Sequence, residues 1–156
     1  METKNQTTDW MKVAEVELIY KSKVKASERP RIMDSKDAYK ILIHCWDLNR
    51  IELLEEFKIL LLNQANRVLG IYPLSSGGIT GTVADPRLIF GAAIRACAVS
   101  IILSHCHPSG NLKPSGADEE LTTKIKMAGQ LLDIKVTDHL IVSRDSYFSF
   151  ADEGLL

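Results

Sequence analysis

The sequence predicts one layered domain of the α/β or α+β class. Three observations predict it: a length of 156 residues fits one domain, 46% of the residues are apolar, and helix-like and strand-like segments interleave without a repeat. A domain of this size buries roughly 70% of the surface that its unfolded chain exposes, so it needs no disulfide or structural metal. A metal bound to this chain is therefore expected to serve a function.

Residues 1–33 are predicted to form a polar tail and a basic strand. After the tail, which ends near Asp9, apolar and charged residues alternate over Val13–Lys25, the pattern of a half-buried strand. Between Tyr20 and Met33 the chain carries five basic residues and one acid, a local charge of +4. Such charges are typical of a solvated edge strand, and they also leave contact with nucleic acid open.

A helix and a hairpin are predicted next. Asp34 or Ser35 can cap the helix, because either side chain can accept a hydrogen bond from a free backbone N–H group. The apolar positions of this helix recur on one face: Ala38, Ile41, Leu42, Cys45 and Trp46. The runs Glu55–Asn63 and Val68–Leu74 are typical of buried strands, and the short turn between them favours a hairpin.

A glycine-rich loop over residues 75–78 precedes a second helix and a central strand. Asp85 as N-cap and Pro86 at the first helical position predict a helix that runs to about Ala98. The segment Val99–His105 is apolar and rich in isoleucine, which predicts a central, buried strand.

The C-terminal part is predicted to contain one helix and two short strands. Apolar residues at helical spacing predict a helix that begins near Ser115. The segments Val136–Ser143 and Tyr147–Phe150 flank a short turn and are predicted to be the last two strands.

Composition narrows the compartment and the classes of partner. The three cysteines, Cys45, Cys97 and Cys106, are too few for a secreted disulfide framework, and the first ten residues lack the apolar core of a signal peptide. No apolar stretch reaches the roughly 20 residues that span a bilayer. The net charge of −1 lacks the basic excess of most domains that bind nucleic acid. A cytoplasmic protein without membrane contact is expected.

Two histidines separated by one residue end the predicted central strand. His105 and His107 are expected to point to the same side because side chains alternate along a strand, while Cys106 turns away. Asp118 lies in the first turn of the next helix, and the prolines and glycines of the intervening loop can fold the chain back toward the strand end. Two imidazoles and one carboxylate are a usual ligand set for catalytic zinc, which keeps a fourth position for water.

The same residues also have structural explanations. Paired histidines occur in hydrogen-bond networks, and Asp118, three residues after Ser115, could complete a capping box at the start of the helix. Ser115 is then a helix cap, a donor to a developing oxyanion, or both. His139 is either an extra polar group of the site or a histidine that hydrogen-bonds locally in its strand.

Hydrolysis at such a site needs a carboxylate outside the metal's ligands to move a proton. Glu55 and Glu56, at the start of an otherwise apolar strand, are the candidates, and spacing alone does not choose between them. Nucleoside deamination is excluded. The zinc deaminases need H-x-E followed by P-C-x-x-C, and cysteines at positions 45, 97 and 106 cannot supply the C-x-x-C pair.

The residues from His105 to Asp118 resemble the JAMM, or MPN-plus, metalloprotease motif, H-x-H followed by seven residues and S-x-x-D. His105, His107, Ser115 and Asp118 fall in register with it. Further strings resemble the RadC-like branch of that superfamily: H-P-S-G at 107–110, P-S-x-x-D at 114–118, D-H-L-I at 138–141 and Y-F-S-F at 147–150. The resemblance covers residues 34–156, a RadC-like JAB/MPN domain.

The resemblance implies a three-layer α/β fold with a mixed sheet, similar to that of the cytidine deaminases. It also implies a Zn²⁺ ion held by a water and three side chains, those of His105, His107 and Asp118. Cys106 stands where many RadC-like proteins carry asparagine, on the face away from the metal, so metal binding is expected to be kept.

The resemblance further implies the roles of two residues. The family's upstream glutamate, a general acid/base, lies two residues before an aromatic at the start of a buried strand, which corresponds to Glu55 before Phe57, with Glu56 as the open neighbour. Ser115 takes the oxyanion-stabilising role. The implied activity is that of a metallopeptidase or isopeptidase on a peptide or protein substrate.

Two other function classes stay open. Longer RadC-like proteins carry an N-terminal helix-hairpin-helix unit that binds DNA, and the tail and strand predicted before residue 34 leave no room for it. The basic segment still permits a DNA-repair or mobile-element accessory protein that acts through DNA or a protein partner without hydrolysis. A non-catalytic interaction module on the same fold is the third class, and a homodimer is compatible with the apolar content.

Overall fold

The computed structural model describes residues 13–17, 19–78 and 83–156. Within them the chain forms a five-stranded sheet and three helices, joined by loops. The strands are β1 (Glu56–Leu62), β2 (Val68–Ser76), β3 (Ser100–Cys106), β4 (Lys135–Val142) and β5 (Tyr147–Ser149). The helices are α1 (Ser35–His44), α2 (Pro86–Arg95) and α3 (Gly116–Leu131), with a short 3-10 turn at Ala26–Glu28. Among these residues no helix is both long enough and apolar enough to cross a membrane.

The sheet is mixed and has the order β2-β1-β3-β4-β5. Strands β1 and β2 form the predicted antiparallel hairpin, and β1 also pairs antiparallel with β3. Strand β4 is parallel to β3, and β5 returns antiparallel to β4. Every residue of β3 is buried, which confirms the prediction of a central strand.

Helices cover both faces of the sheet and produce three layers. On one face, the α1 face, Leu42 packs against even-numbered residues of β1 and β3 such as Leu60. On the other, the α2/α3 face, Ile89 and Ile125 pack against odd-numbered residues such as Ile59. The predicted three-layer α/β fold with a mixed sheet is confirmed.

The helices begin at the predicted caps. The Asp34 carboxylate accepts a hydrogen bond from the Asp37 N–H, and Asp85 caps α2 with Pro86 at its first position. Helix α2 ends at Arg95, three residues before the predicted end. It ends there because Cys97 adopts a left-handed conformation with φ +54°, which breaks the helical ladder.

The predicted strand over Val13–Lys25 is wrong. Those of its residues that the structure describes form no strand, and Val13 and Val16 are 88% and 81% exposed. Alternating polarity produces a strand only where a second strand accepts its hydrogen bonds and buries its apolar face. Among the described residues, the strand that pairs with the edge strand β2 is β1, and no residue of 13–25 pairs with β2 as a strand. The predicted tail, which ends near Asp9, lies outside the described residues.

Candidate metal centre

The end of β3 brings together the two histidines that the sequence singles out. His105 lies in the strand and His107 one residue beyond its end. Both imidazoles turn to the α2/α3 face, and their Nε2 atoms lie 3.0 Å apart. Cys106 turns to the α1 face, as predicted, and is fully buried there.

Asp118 joins the histidines from the first turn of α3. Its Oδ1 lies 3.1 Å from Nε2 of His105, and its Oδ2 lies 3.6 Å from Nε2 of His107. Oδ2 also accepts hydrogen bonds from the backbone N–H and the hydroxyl of Ser115, both at 2.7 Å. The hydroxyl oxygen accepts in turn from the Asp118 N–H at 3.2 Å, so the capping box is present. One carboxylate therefore serves both the helix cap and the histidine cluster.

The three donors have the spacing of a metal site. Ligands held at about 2.0–2.1 Å in tetrahedral geometry lie about 3.3 Å from one another. Nε2 of His105 lies 3.0 Å from Nε2 of His107 and 3.1 Å from Oδ1 of Asp118, close to that value, and His107 is 3.6 Å from the other carboxylate oxygen, Oδ2. Together they could hold a metal ion, and two imidazoles with one carboxylate are donors that suit zinc.

The electrostatics of the cluster favour an ionised carboxylate. Burial alone raises the pKa of Asp118, but the close contacts with the imidazoles of His105 and His107 outweigh it and hold that pKa well below its usual range. The hydrogen bond to Asp118 raises the pKa of His107, against the opposing effect of partial burial. The Asp118 carboxylate is therefore held in its ionised form, the form that a divalent cation needs.

The loop after β3 orients His107. Gly110, at φ +74°, forms a turn in which its N–H donates to the His107 carbonyl at 2.9 Å. The turn returns the Asn111 carbonyl to the imidazole, and Nδ1 of His107 donates to it at 2.6 Å. Because a carbonyl only accepts, Nδ1 carries a proton, and Nε2 of the neutral ring is available to a metal.

His139 lies behind His105 in the interior of the domain. Its Nε2 lies 2.8 Å from Nδ1 of His105, and its Nδ1 lies 2.6 Å from the hydroxyl oxygen of Thr122. The ring is fully buried and stacks on Phe150 with 4.7 Å between centroids. Burial, and after it the charge of His105, holds the pKa of His139 well below its usual value. His139 is thus a neutral hydrogen-bond partner of a candidate ligand.

Glu55 lies on the same side of the sheet as the cluster. Phe57 pairs with His105 across β1 and β3, and the two rings stack with an interplanar angle of 2°. Glu55 is half-buried and precedes Phe57 by two residues, so by alternation it follows the same face. Its charge is one of the lesser causes of the raised pKa of His107.

Glu56 belongs to the opposite, α1 face. Its buried carboxylate lies 3.2 Å from the Arg50 guanidinium and 4.0 Å from the Lys58 ammonium. Its backbone N–H donates to Sγ of Cys106 at 3.4 Å. Glu56 therefore has ion-pair partners of its own, and the geometry favours Glu55 where spacing left both residues open.

The profile of the RadC-like JAB domain matches residues 32–155. The chain belongs to this family. It is 46% identical over 125 residues to a UPF0758 protein of Flavobacterium johnsoniae, across 80% of this chain and 53% of that protein. A UPF0758 protein of Porphyromonas gingivalis is 43% identical over 139 residues, across 86% of this chain and 60% of that protein. The chain spans about half the length of these relatives.

Two contacts in this RadC-like JAB domain were missed by sequence reasoning. Thr122 follows Asp118 by four residues, so both lie on one face of α3, and this spacing could have revealed its link to the cluster. The contact between His107 and Asn111 uses a backbone carbonyl, which leaves no signal in residue type.

Proposed function

We propose that this RadC-like JAB domain is a zinc-dependent hydrolase that cleaves amide bonds in a peptide or protein substrate, as a metallopeptidase or isopeptidase. The observation that carries the proposal is the convergence of two imidazole Nε2 atoms and one carboxylate at separations of 3.0–3.6 Å. Three protein ligands leave a fourth tetrahedral position for water, which is the arrangement of catalytic rather than structural zinc sites.

The chain's own residues have distinct roles in the proposed reaction. A bound zinc ion would lower the pKa of its water toward about 7 and polarise the scissile carbonyl. Glu55 accepts the proton of the attacking water and passes it to the leaving amine. Ser115, exposed at the start of α3, donates its single hydroxyl hydrogen to Asp118 in this structure. Its proposed role requires that this hydrogen turn from Asp118 to the oxyanion of the substrate.

The exposure of the cluster supports a polymeric substrate. The side chains of His107 and Asp118 are 18% and 14% exposed, whereas that of His105 is 1% exposed. The cluster therefore opens to solvent on one side, at the loop after β3, where the backbone of an extended polypeptide can approach it.

Metal analysis of the purified protein tests the metal centre. We expect about one zinc per chain in the wild type, and none in His107→Ala. His44→Ala is the matched control, because His44 is an exposed histidine at the end of α1, and we expect it to keep its zinc. A wild-type protein that is folded yet metal-free after zinc reconstitution would overturn the proposal.

A panel of peptide and isopeptide substrates tests the reaction. We expect cleavage of a subset by the zinc-loaded protein, loss of cleavage on chelation and recovery when zinc is restored. Zinc binding without cleavage of any substrate in the panel would contradict hydrolysis and favour a role without catalysis.

A second candidate function is supported by the basic segment of residues 21–31. Lys21, Lys23 and Lys25 are all exposed, so they are available to phosphates. On this proposal the chain is a DNA-repair or mobile-element accessory protein that acts through DNA. Binding to duplex or single-stranded DNA that weakens between 50 and 200 mM salt, and is lost when the three lysines are replaced by glutamine, is the expected result. No binding at low salt would remove this candidate.

A further inference from the structure

A chain of hydrogen bonds links the backbone of Asp118 to His105 through the interior of the domain. At its Asp118 end, the backbone carbonyl accepts from the Thr122 hydroxyl at 2.6 Å. A carbonyl oxygen has no proton to give, so the single hydroxyl hydrogen of Thr122 is committed to this bond. The Thr122 oxygen is left with acceptor capacity only.

This commitment determines which nitrogen of His139 carries the proton. Nδ1 of His139 lies 2.6 Å from the Thr122 oxygen, so it must carry a hydrogen and donate it. Nε2 of the neutral ring is then unprotonated. It lies 2.8 Å from Nδ1 of His105, which must be the donor of that bond.

The same reasoning extends to His105. With the proton on Nδ1, Nε2 of the neutral His105 ring is the nitrogen left for a metal, and it lies 3.0 Å from Nε2 of His107 and 3.1 Å from Oδ1 of Asp118. We propose that His139 and Thr122 are positioning residues, which hold His105 in the tautomer that ligates a metal. This inference rests on the metal centre of the proposed function, and it adds how that centre is preset by side chains that do not touch the metal.

The packing around His139 supports this role. The ring lies between Phe150, at 4.7 Å, and Phe57, at 5.7 Å between centroids, and it is fully buried. Such a site offers no water to replace the Thr122 or His105 contact, so each bond is costly to lose. Groups that hydrogen-bond a metal-ligating histidine typically contribute a factor of about 10–100 in metal affinity.

Thr122 and the adjacent Thr123 provide a matched pair of variants. Both hydroxyls donate to the carbonyl four residues earlier, Thr122 to Asp118 and Thr123 to Glu119 at 3.0 Å, but only Thr122 also contacts His139. Thr122→Val keeps the shape of the side chain and removes its hydroxyl. Thr123→Val removes the equivalent hydrogen bond to a helix carbonyl without changing the contact between Thr122 and His139. Thr122→Ser restores the hydroxyl and is the rescue variant.

The first measurement is Zn²⁺ affinity, by competition with a chromophoric chelator. We expect Thr122→Val to bind Zn²⁺ up to about 10-fold more weakly than the wild type, because Thr122 acts on His105 only through His139, with Thr123→Val and Thr122→Ser close to wild type. Equal affinity of Thr122→Val and Thr123→Val would overturn the positioning role. His139→Phe keeps the buried ring but removes the acceptor, and we expect a loss at least as large if it folds.

The second measurement is the ¹⁵N spectrum of histidine-labelled protein, which reads each ring nitrogen directly. We expect Nδ1 of His139 to be protonated and its Nε2 bare in the wild type, with or without Zn²⁺, and the Nε2–H form to become populated in Thr122→Val. A bare Nδ1 in the wild type would overturn the inference. If the wild type binds no Zn²⁺ at all, the proposed function fails, while this spectrum still decides the tautomer.

Discussion

Where β1 begins and β3 ends, polar side chains on the two faces of the sheet have different environments. On the α2/α3 face, His105, His107 and Asp118 converge with their ligand atoms directed at one another. On the α1 face, Glu56 is paired with Arg50, and Cys106 is a buried thiol whose pKa is raised, mainly by burial. A shift of one residue along a strand separates a cluster available to a cation from a set of structural contacts.

The helix starts repeat this contrast. Helix α1 begins with Asp34 as cap and Asp37 three residues later, and α3 begins with Ser115 and Asp118 in the same positions. The Asp37 carboxylate accepts from the Met33 N–H, whereas the Asp118 carboxylate also faces two imidazoles. The local capping pattern is therefore shared, and only the strand end opposite the helix gives α3 a further role.

The largest expected effect comes from exchanging the two acids at these helix starts for amides. Asp118→Asn removes a charged candidate ligand, and we expect Zn²⁺ affinity to fall by more than about 100-fold, beyond the effect of an outer hydrogen-bond partner. Asp37→Asn is the matched control and should bind Zn²⁺ as the wild type does. Chelator competition measures both, and equal affinities would break the distinction between the faces.

The two glutamates at the start of β1 give the next comparison. Glu55→Gln should keep its zinc and lose about 10²–10⁴-fold in kcat, because an amide does not carry the proton. Glu56→Gln should keep kcat and lose at most about 1 kcal/mol of unfolding free energy, because its ion pair with Arg50 is partly exposed. The measurement is kcat on a substrate that the wild type cleaves. Loss of kcat in Glu56→Gln but not in Glu55→Gln would assign the base to Glu56.

The two cap residues give a smaller effect. Ser115→Ala and Asp34→Ala each lose a helix N-cap, which costs about 1 kcal/mol of unfolding free energy. Only Ser115→Ala should also lower kcat, by up to about 10²–10³-fold if its hydroxyl stabilises the oxyanion. Urea unfolding and turnover measured on both variants separate the two roles of Ser115. An unchanged kcat in Ser115→Ala would leave it as a cap alone.

The smallest effect is a pH dependence of the metal-free protein. The pKa of His107 is raised in the folded state, above all by Asp118, so its contribution to stability is present below about pH 6.5 and is lost as pH rises through the folded pKa. The unfolding free energy of the chelated wild type, relative to that of His107→Gln, should therefore fall between pH 5.5 and 8.5. Cys106→Ala should show no such change relative to the wild type below about pH 7.5, because there the thiol is neutral both in the folded state, where burial raises its pKa, and in the unfolded chain, where its pKa is about 8.5. A pH-independent difference for His107→Gln would contradict the assigned ion pair.

Residue periodicity was enough to predict most of the fold. The alternation in β1 and β3 and the caps at Asp34, Asp85 and Ser115 act locally, so they can be recognised without knowing their neighbours. The prediction of a strand over Val13–Lys25 was wrong because a strand also needs a partner strand, and no local pattern reveals whether one is present.

In the candidate site, too, local spacing predicted some residues, and others could be found only from tertiary contacts. His105 and His107 are two residues apart and Ser115 and Asp118 three apart, so a strand and a helix start present each pair by local geometry. The geometry that favours Glu55 over Glu56 depends on the pairing of Phe57 with His105, and the assignment of the base stays a prediction. The link from Thr122 to His139 spans 17 residues and two elements, and only the folded chain brings these side chains together.

The first turn of α3 would also couple the binding of a metal at the candidate site to local unfolding. Asp118 uses its carboxylate for the cap and the cluster, and its carbonyl for Thr122. Fraying of this turn breaks the cap, withdraws the candidate ligand Asp118 and loosens the hydrogen bonds that run from Thr122 through His139 to His105 in one opening event. A bound cation that requires Asp118 must suppress that opening, so the hydrogen exchange of the Ser115 and Asp118 amides becomes a direct record of how much of the protein holds metal.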